Sequence, residues 1–255
     1  MTLELITIPC RTDNYAFLLH DAATGQTALI DAPEVPAIQA ALDARGWALS
    51  DILITHHHDD HIAGVDGLRS LYSPRVIGAA ADAHRLPRLD LALNEGNTVT
   101  VCGESALVID VSGHTVGHIA FYFAASGIAF TADSLMAMGC GRLFEGTAAQ
   151  MWTNLQKLRA LPPETLICSG HEYTASNARF ALTVEPDNAA LATRAAAITA
   201  TREQGKFTVP SSLGLECQTN PFLRADVPAL ATAIGMTGAD PAEIFAEVRR
   251  RKDKF

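Results

Sequence analysis

The stretch Thr55-His56-His57-His58-Asp59-Asp60-His61 decides how this chain is read. It follows a short apolar run, residues 51–55, carrying Ile52 and Ile54. His56, His58, Asp60 and His61 make a His-x-His-x-Asp-His array, four nitrogen and oxygen donors within six residues. Imidazole and carboxylate together suit zinc, iron or manganese. Imidazoles crowded this closely repel once protonated, unless a metal holds them. Four donors on one short loop cannot comfortably surround a single ion, so two metals sharing the loop is the easier geometry.

Two metals need donors from elsewhere, and the chain offers three in a repeated context. Residues 107–111 lead into Ser112-Gly113-His114, residues 128–131 into Ala132-Asp133, and residues 166–168 into Ser169-Gly170-His171. In each case an apolar strand ends and a donor follows within three positions. Glycine precedes it twice, which lets the backbone turn sharply. Singly, each of His114, Asp133 and His171 reads as an ordinary surface or capping residue; the weight lies in the set. If these strands lie alongside residues 51–55, their carboxyl ends converge on one edge, where open α/β sheets bind ligands.

The rest of the chain alternates strand-like and helix-like segments up to about residue 172 and is helical beyond. Strands are expected at 3–9, 15–20, 27–31, 75–78, 98–102, 106–111, 119–124, 128–132 and 165–168, and helices at 35–44, 62–72 and 147–161. From residue 173 the segments 173–184, 188–204, 227–235 and 241–251 read as helices, with no strand of note. The expectation is an α/β domain over residues 1–172 and a helical domain over 173–255.

Of 255 residues 48% are apolar, enough for a substantial core. No run approaches the ~20 apolar residues of a membrane span. Residues 1–5 lack the basic-then-apolar order of a signal peptide, so a cytoplasmic protein without membrane attachment is expected. The net charge of −9 argues against a nucleic-acid partner. Cys10, Cys102, Cys140, Cys168 and Cys217 are odd in number and scattered, and read as reduced, buried thiols. Ser134 lacks a Gly-x-Ser-x-Gly elbow, and Cys140 reads as a small residue in a tight turn. By themselves, Arg249, Arg250, Arg251, Lys252 and Lys254 read as a solvated helix end complementing the macrodipole.

Several passages carry a family resemblance: Gly113-His114-Thr115-Val116-Gly117-His118, Phe130-Thr131-Ala132-Asp133-Ser134-Leu135, Gly139-Cys140-Gly141-Arg142-Leu143-Phe144-Glu145-Gly146-Thr147 and Gly170-His171-Glu172-Tyr173-Thr174. Val184-Glu185-Pro186-Asp187-Asn188, Val209-Pro210-Ser211-Ser212 and Thr219-Asn220-Pro221-Phe222-Leu223-Arg224 extend it into the helical part. With the histidine array, the chain resembles the metallo-β-lactamase superfamily, and within it the hydroxyacylglutathione hydrolases. The resemblance implies an αββα sandwich with a C-terminal helical domain. It implies that His56, His58 and His114 hold one divalent ion, that Asp60, His61 and His171 hold a second, and that Asp133 bridges them. Zinc is the expected metal, with iron or manganese as substitutes. A hydroxide shared by the two ions would attack the thioester of S-D-lactoylglutathione, with Asp60 orienting it. Arg142, Tyr173, Arg249 and Lys252 would grip the glutathione moiety, and the expected state is a monomer.

Three positions depart from the family pattern. Arg142 stands where relatives usually carry Lys, Phe144 where many carry Tyr, and Asp59 where an aromatic or small residue is common. His57 alternates out of phase with its neighbours and should point away from the metals. His118 should be packed or orient a ligand, and His20 and His84 read as surface residues. Two other readings are open: a mononuclear iron glutathione persulfide dioxygenase on the same scaffold, and a non-catalytic module that kept the fold.

Overall fold

In a computed structural model, which describes residues 3–255, the chain divides into two compact units. The first comprises residues 3–110 and 116–132, the second residues 111–115 and 133–255.

The first unit opens with β1 (Glu4–Cys10), β2 (Asn14–Asp21) and β3 (Gln26–Ile30), paired antiparallel in sequence. Then follow α1 (Val35–Asp43), β4 (Asp51–Leu53), α2 (Asp59–Ile62), α3 (Val65–Tyr72), β5 (Arg75–Ala79) and β6 (Leu91–Leu93). β3 to β6 pair in parallel. Parallel neighbours need a crossover long enough to return the chain, and helices supply two of them. Pro36, with its pre-set φ, sits in the first turn of α1, and Ile38 and Leu42 bury one face at i, i+4. In α3, Val65 and Leu68 do the same at i, i+3. These residues pack with Leu29, Ile52, Ile54 and Val76 in one apolar cluster.

A second sheet follows as an antiparallel meander of β7 (Thr98–Val101), β8 (Glu104–Asp110), β9 (Ile119–Phe123) and β10 (Ile128–Ala132). β9 and β10 are buried along their whole length. Phe130 lies 5.6 Å from Phe17 of the first sheet and 5.8 Å from Phe123 of its own, so the two sheets share a core.

The second unit contains β11 (Leu135–Met136), β12 (Gly139–Cys140), α4 (Ala148–Arg159), β13 (Leu166–Ser169), α5 (Thr174–Val184), α6 (Ala189–Glu203), β14 (Ser211–Ser212), α7 (Leu213–Thr219), α8 (Pro228–Ala233) and α9 (Pro241–Lys254). Thr147, Asn188 and Asp240 cap α4, α6 and α9 by accepting from Gln150 N, Leu191 N and Ala242 N. Met151, Leu155 and Leu158 form the expected buried face of α4. Among the described residues no helix is long and apolar enough to cross a membrane.

The structure corrects three expectations and decides one open condition. The helix expected at 62–72 is broken at Gly64, whose amide donates to Ala32 O and where a Cβ would sit 2.9 Å from Glu34 C. The condition that β4 lie alongside β8 and β10 is not met: β4 pairs with β3 and β5 in the first sheet, and β8 and β10 flank β9 in the second. β14 is a strand in the helical region, pairing antiparallel with β13, but two polar residues show no period. His20 is buried rather than superficial: its ring stacks on Trp47 at 3.9 Å, and Nδ1 meets Thr27 Oγ1 at 2.9 Å.

Because Phe130 is fully buried between aromatic neighbours of both sheets, Phe130→Ala is expected to cost about 3–5 kcal/mol. Urea unfolding should show a lower midpoint at an unchanged slope.

Candidate metal centre and substrate-binding residues

The histidine array begins where β4 ends. Ile54 N still bonds Ile77 O, and Ile119 N bonds Thr55 O, so the backbone is held up to the first donor. His56 and His61 are fully buried. His56 Nε2 and His58 Nδ1 stand 3.1 Å apart, and His61 Nε2 lies 3.8 Å from Asp60 Oδ2. Asp60 Oδ2 accepts from Asn14 Nδ2 at 2.9 Å, which fixes the carboxylate from the side of β2.

Asp31, just past β3, organises this loop. Its Oδ1 accepts from Thr55 N, and its Oδ2 from Thr55 Oγ1 and His61 Nδ1, each at 2.8 Å. With a carboxylate accepting from Nδ1, Nε2 is the nitrogen of His61 that would coordinate a metal. Asp31 could itself be counted with His56 and His61 as a metal-binding group, but both its oxygens are already engaged by protein donors. Its backbone is left-handed, with φ 57°, a conformation held by the bonds around it.

The remaining members of the array turn elsewhere. His57 Nδ1 meets the buried Asp82 at 3.0 Å, and Arg85 Nε donates to the same carboxylate at 2.9 Å. His118 is buried and stacked on His56, with ring centroids 4.5 Å apart. Asp59 is exposed and accepts from Arg11 at 2.8 Å. His84 is on the surface.

In the second unit His114, Asp133 and His171 come together. Nε2 of His114 lies 3.5 Å, and Nε2 of His171 3.3 Å, from the same oxygen, Asp133 Oδ2. His114 Nδ1 donates to Arg142 O at 2.8 Å, so that Nε2, the nitrogen facing Asp133, is the one that would coordinate a metal. Gly141 makes this possible. A Cβ there would fall 2.0 Å from Asp133 O and 2.8 Å from His114 Nδ1.

The basic and aromatic residues expected to bind substrate also lie in this unit. Tyr173 stacks on His171 at 4.7 Å, and the exposed Phe144 ring meets His114 edge-on at 5.2 Å. Arg142 is exposed. Lys252 sits over the rings of Phe180 and Phe255. Burial, reinforced by Arg249, Arg179 and Arg142, brings its pKa down to about 8. Arg249 is buried, donates to Cys140 O at 2.9 Å and to Asp253 at 2.9 Å, and lies over Phe222. Cys140 is an inert thiol whose pKa burial pushes up to about 11. Asp31, Asn14 and Arg179 escaped sequence reasoning. For Asp31 the signal was present, an acid just after an apolar strand, as at Asp133.

Residues 12–171 match the metallo-β-lactamase superfamily model, and residues 172–255 match the model described as the hydroxyacylglutathione hydrolase C-terminus. Proteins named hydroxyacylglutathione hydrolase from Cereibacter sphaeroides and Ruegeria pomeroyi are 63% and 62% identical to it over 255 residues, covering all of each chain. The chain belongs to the hydroxyacylglutathione hydrolase family. Its fold is that of the metallo-β-lactamases: the BLEG-1 B3 metallo-β-lactamase aligns with a TM-score of 0.67 at 20% identity, over 86% of this chain and 99% of that one. The ETHE1 structure from Myxococcus xanthus aligns with a TM-score of 0.64 at 23% identity over the whole of both. Family membership and the histidine and aspartate donors together identify a divalent-metal-binding protein.

Gly141→Ala should leave far-ultraviolet circular dichroism intact. It should weaken divalent-metal binding on the order of tenfold to a hundredfold, read by competition with a chromophoric chelator.

Proposed function

We propose that the protein hydrolyses S-(2-hydroxyacyl)glutathione thioesters, chiefly S-D-lactoylglutathione, to glutathione and D-lactate. The observation that carries this reading is full-length identity above 60% to proteins named hydroxyacylglutathione hydrolase. The same relatives disfavour the persulfide dioxygenase alternative.

In this reading the chain binds two divalent ions. His56, His58 and His114 hold one, Asp60, His61 and His171 hold the other, and Asp133 is shared. Zinc is the proposed metal, with iron or manganese able to substitute. The donor chemistry fits such ions: neutral imidazoles with Nδ1 engaged by an oxygen acceptor at His61 and His114, and carboxylates at Asp60 and Asp133. When bound, a divalent pair supplies Lewis acidity and brings the pKa of water towards neutrality.

The chain's own residues do the rest. Asp60, steadied by Asn14, orients the attacking water. Tyr173 and Phe144 flank the imidazoles of His171 and His114 and exclude bulk solvent from the thioester. Arg142 and Lys252 bind glutathione carboxylates through charge-assisted hydrogen bonds. Arg249, which donates to Cys140 O and Asp253, adds its positive charge to that of Lys252 toward the glutathione carboxylates. The water loses one proton to solvent as its oxygen bonds to the carbonyl carbon, the carbon–sulfur bond breaks, the sulfur leaves as thiolate without a dedicated acid, and the new carboxyl group ionises to carboxylate. We assign residues 1–172 to the catalytic domain and residues 173–255 to substrate binding. We place the protein in the cytoplasm as a monomer whose partner is this small molecule, not nucleic acid or membrane.

Metal-loaded protein should hydrolyse S-D-lactoylglutathione, and exhaustive chelation should abolish the rate until zinc is restored. Activity on a β-lactam or phosphodiester with none on the thioester would refute the assignment.

Lys252 loses its charge as pH rises through about 8. KM for the thioester should therefore climb above that pH, on the order of tenfold for one charge-assisted hydrogen bond. Lys252→Gln should show the high KM at every pH and lack the inflection.

A further inference from the structure

The hairpin formed by β11 and β12 joins two things that the function reading keeps apart. Its base belongs to the metal centre. Asp133 lies two residues before β11, Gly141 N donates to Ser134 O at 3.2 Å, and Arg142 O takes the Nδ1 proton of His114. Its tip is held from the helical part of the unit, and all four residues from Met136 to Gly139 are bound there. Asn220 Nδ2 donates to Met136 O at 3.1 Å and to Gly139 O at 3.0 Å. Asn177 Nδ2, on α5, donates to Ala137 O at 3.1 Å. Met138 N donates to Glu216 Oε2, on α7, at 2.9 Å.

This is more than loop packing. Met138 holds a left-handed backbone, φ 61°, which a side chain with a Cβ adopts only where its surroundings enforce it. Glu216 is fully buried, and so is Asn220. A buried carboxylate is tolerated only if its charge and lone pairs are answered. The other oxygen of Glu216 accepts from Arg194 and from Ser211 Oγ. Arg194, on α6, also donates to Thr219 Oγ1 at 2.7 Å. One charged network spanning α6, β14 and α7 thus ends on a backbone amide at the hairpin tip.

We propose that Asn220, Glu216 and Asn177 are positioning residues for the metal centre. Gripping the tip of a hairpin only two residues per strand long, they fix its base. They thereby set the place of the Asp133 carboxylate and of the carbonyl that orients His114. The inference rests on the reading of Asp133 and His114 as metal ligands. It gives the helical region a task besides binding substrate: it tunes the affinity and geometry of the metal site through the hairpin.

The test uses the full chain and cobalt(II) as probe, followed by visible absorption and chelator competition. Asn220→Ser and Asn177→Ala each remove side-chain donors to the tip. Both should bind cobalt more weakly, on the order of tenfold, with a shifted visible band. Their sites lie on different elements, so failure of one to fold leaves the other to decide. The control is Glu185→Gln, which weakens a buried pair with Arg224 in the same region (Arg224 Nε and NH2, each 2.9 Å) and makes no bond to the hairpin. It should lower the melting temperature as much while leaving cobalt affinity and spectrum unchanged. Unchanged affinity and spectrum in both hairpin variants would overturn the inference, as would an equal loss in the control. If the unaltered protein bound no cobalt, the metal reading itself would fall, and this inference with it.

Discussion

Everything at the metal centre depends on what the far side of each imidazole is doing. A histidine offers a metal one lone pair only when its other nitrogen carries the proton and has somewhere to put it. In this chain His61 gives that proton to Asp31 and His114 gives it to the carbonyl of Arg142. In both rings it is then Nε2 that would coordinate a metal. Without those acceptors the rings would rotate or change tautomer, and the crowding of donors 3–4 Å apart would be repulsive rather than useful.

The acceptors must in turn be held. Asp31 takes three hydrogen bonds and sits in a left-handed backbone conformation just beyond β3. The Arg142 carbonyl is placed by a hairpin whose tip is tied down residue by residue, the last tie leading into the buried Arg194–Glu216 pair. Strained backbone and buried charge cost stability locally. Here they concentrate around the donor residues, where displacement of a ligand by an ångström would matter most. The surrounding core, from the Phe17–Phe130 contact between sheets to the packed faces of α1 and α4, offsets that cost.

The cationic residues show a different economy. Lys252 is half-buried on aromatic rings with three arginines adding to its positive surroundings, so part of its charge is destabilised in the free protein. An anionic ligand relieves that repulsion. Arg249 answers a carbonyl and a carboxylate of the protein itself, and its positive charge adds to the field that lowers the pKa of Lys252.

Much of this was legible in the residues. The histidine array, the donors after strand ends at 114, 133 and 171, and the helical character beyond residue 173 follow from local pattern, because ligand spacing, strand alternation and helix capping act over a few positions. What stayed hidden depends on contacts across long sequence separations. His20 reads as superficial until Trp47 covers it, and Gly64 looks like an interior helix residue until the backbone of Glu34 blocks a side chain there. Whether β4 lies beside β8 and β10 is open in the sequence because apolar strands look alike, and their pairing partners are chosen only when sheets form. The sequence alone determined which residues could coordinate a metal, since that is a property of side-chain chemistry. Only the tertiary structure decided which ring nitrogen of His61 and of His114 is engaged by the protein, and by which acceptor, since the hydrogen bond from His61 to Asp31, or that from Asn220 to Gly139 O of the hairpin, exists only once distant segments have been brought together, 2.8 Å and 3.0 Å apart.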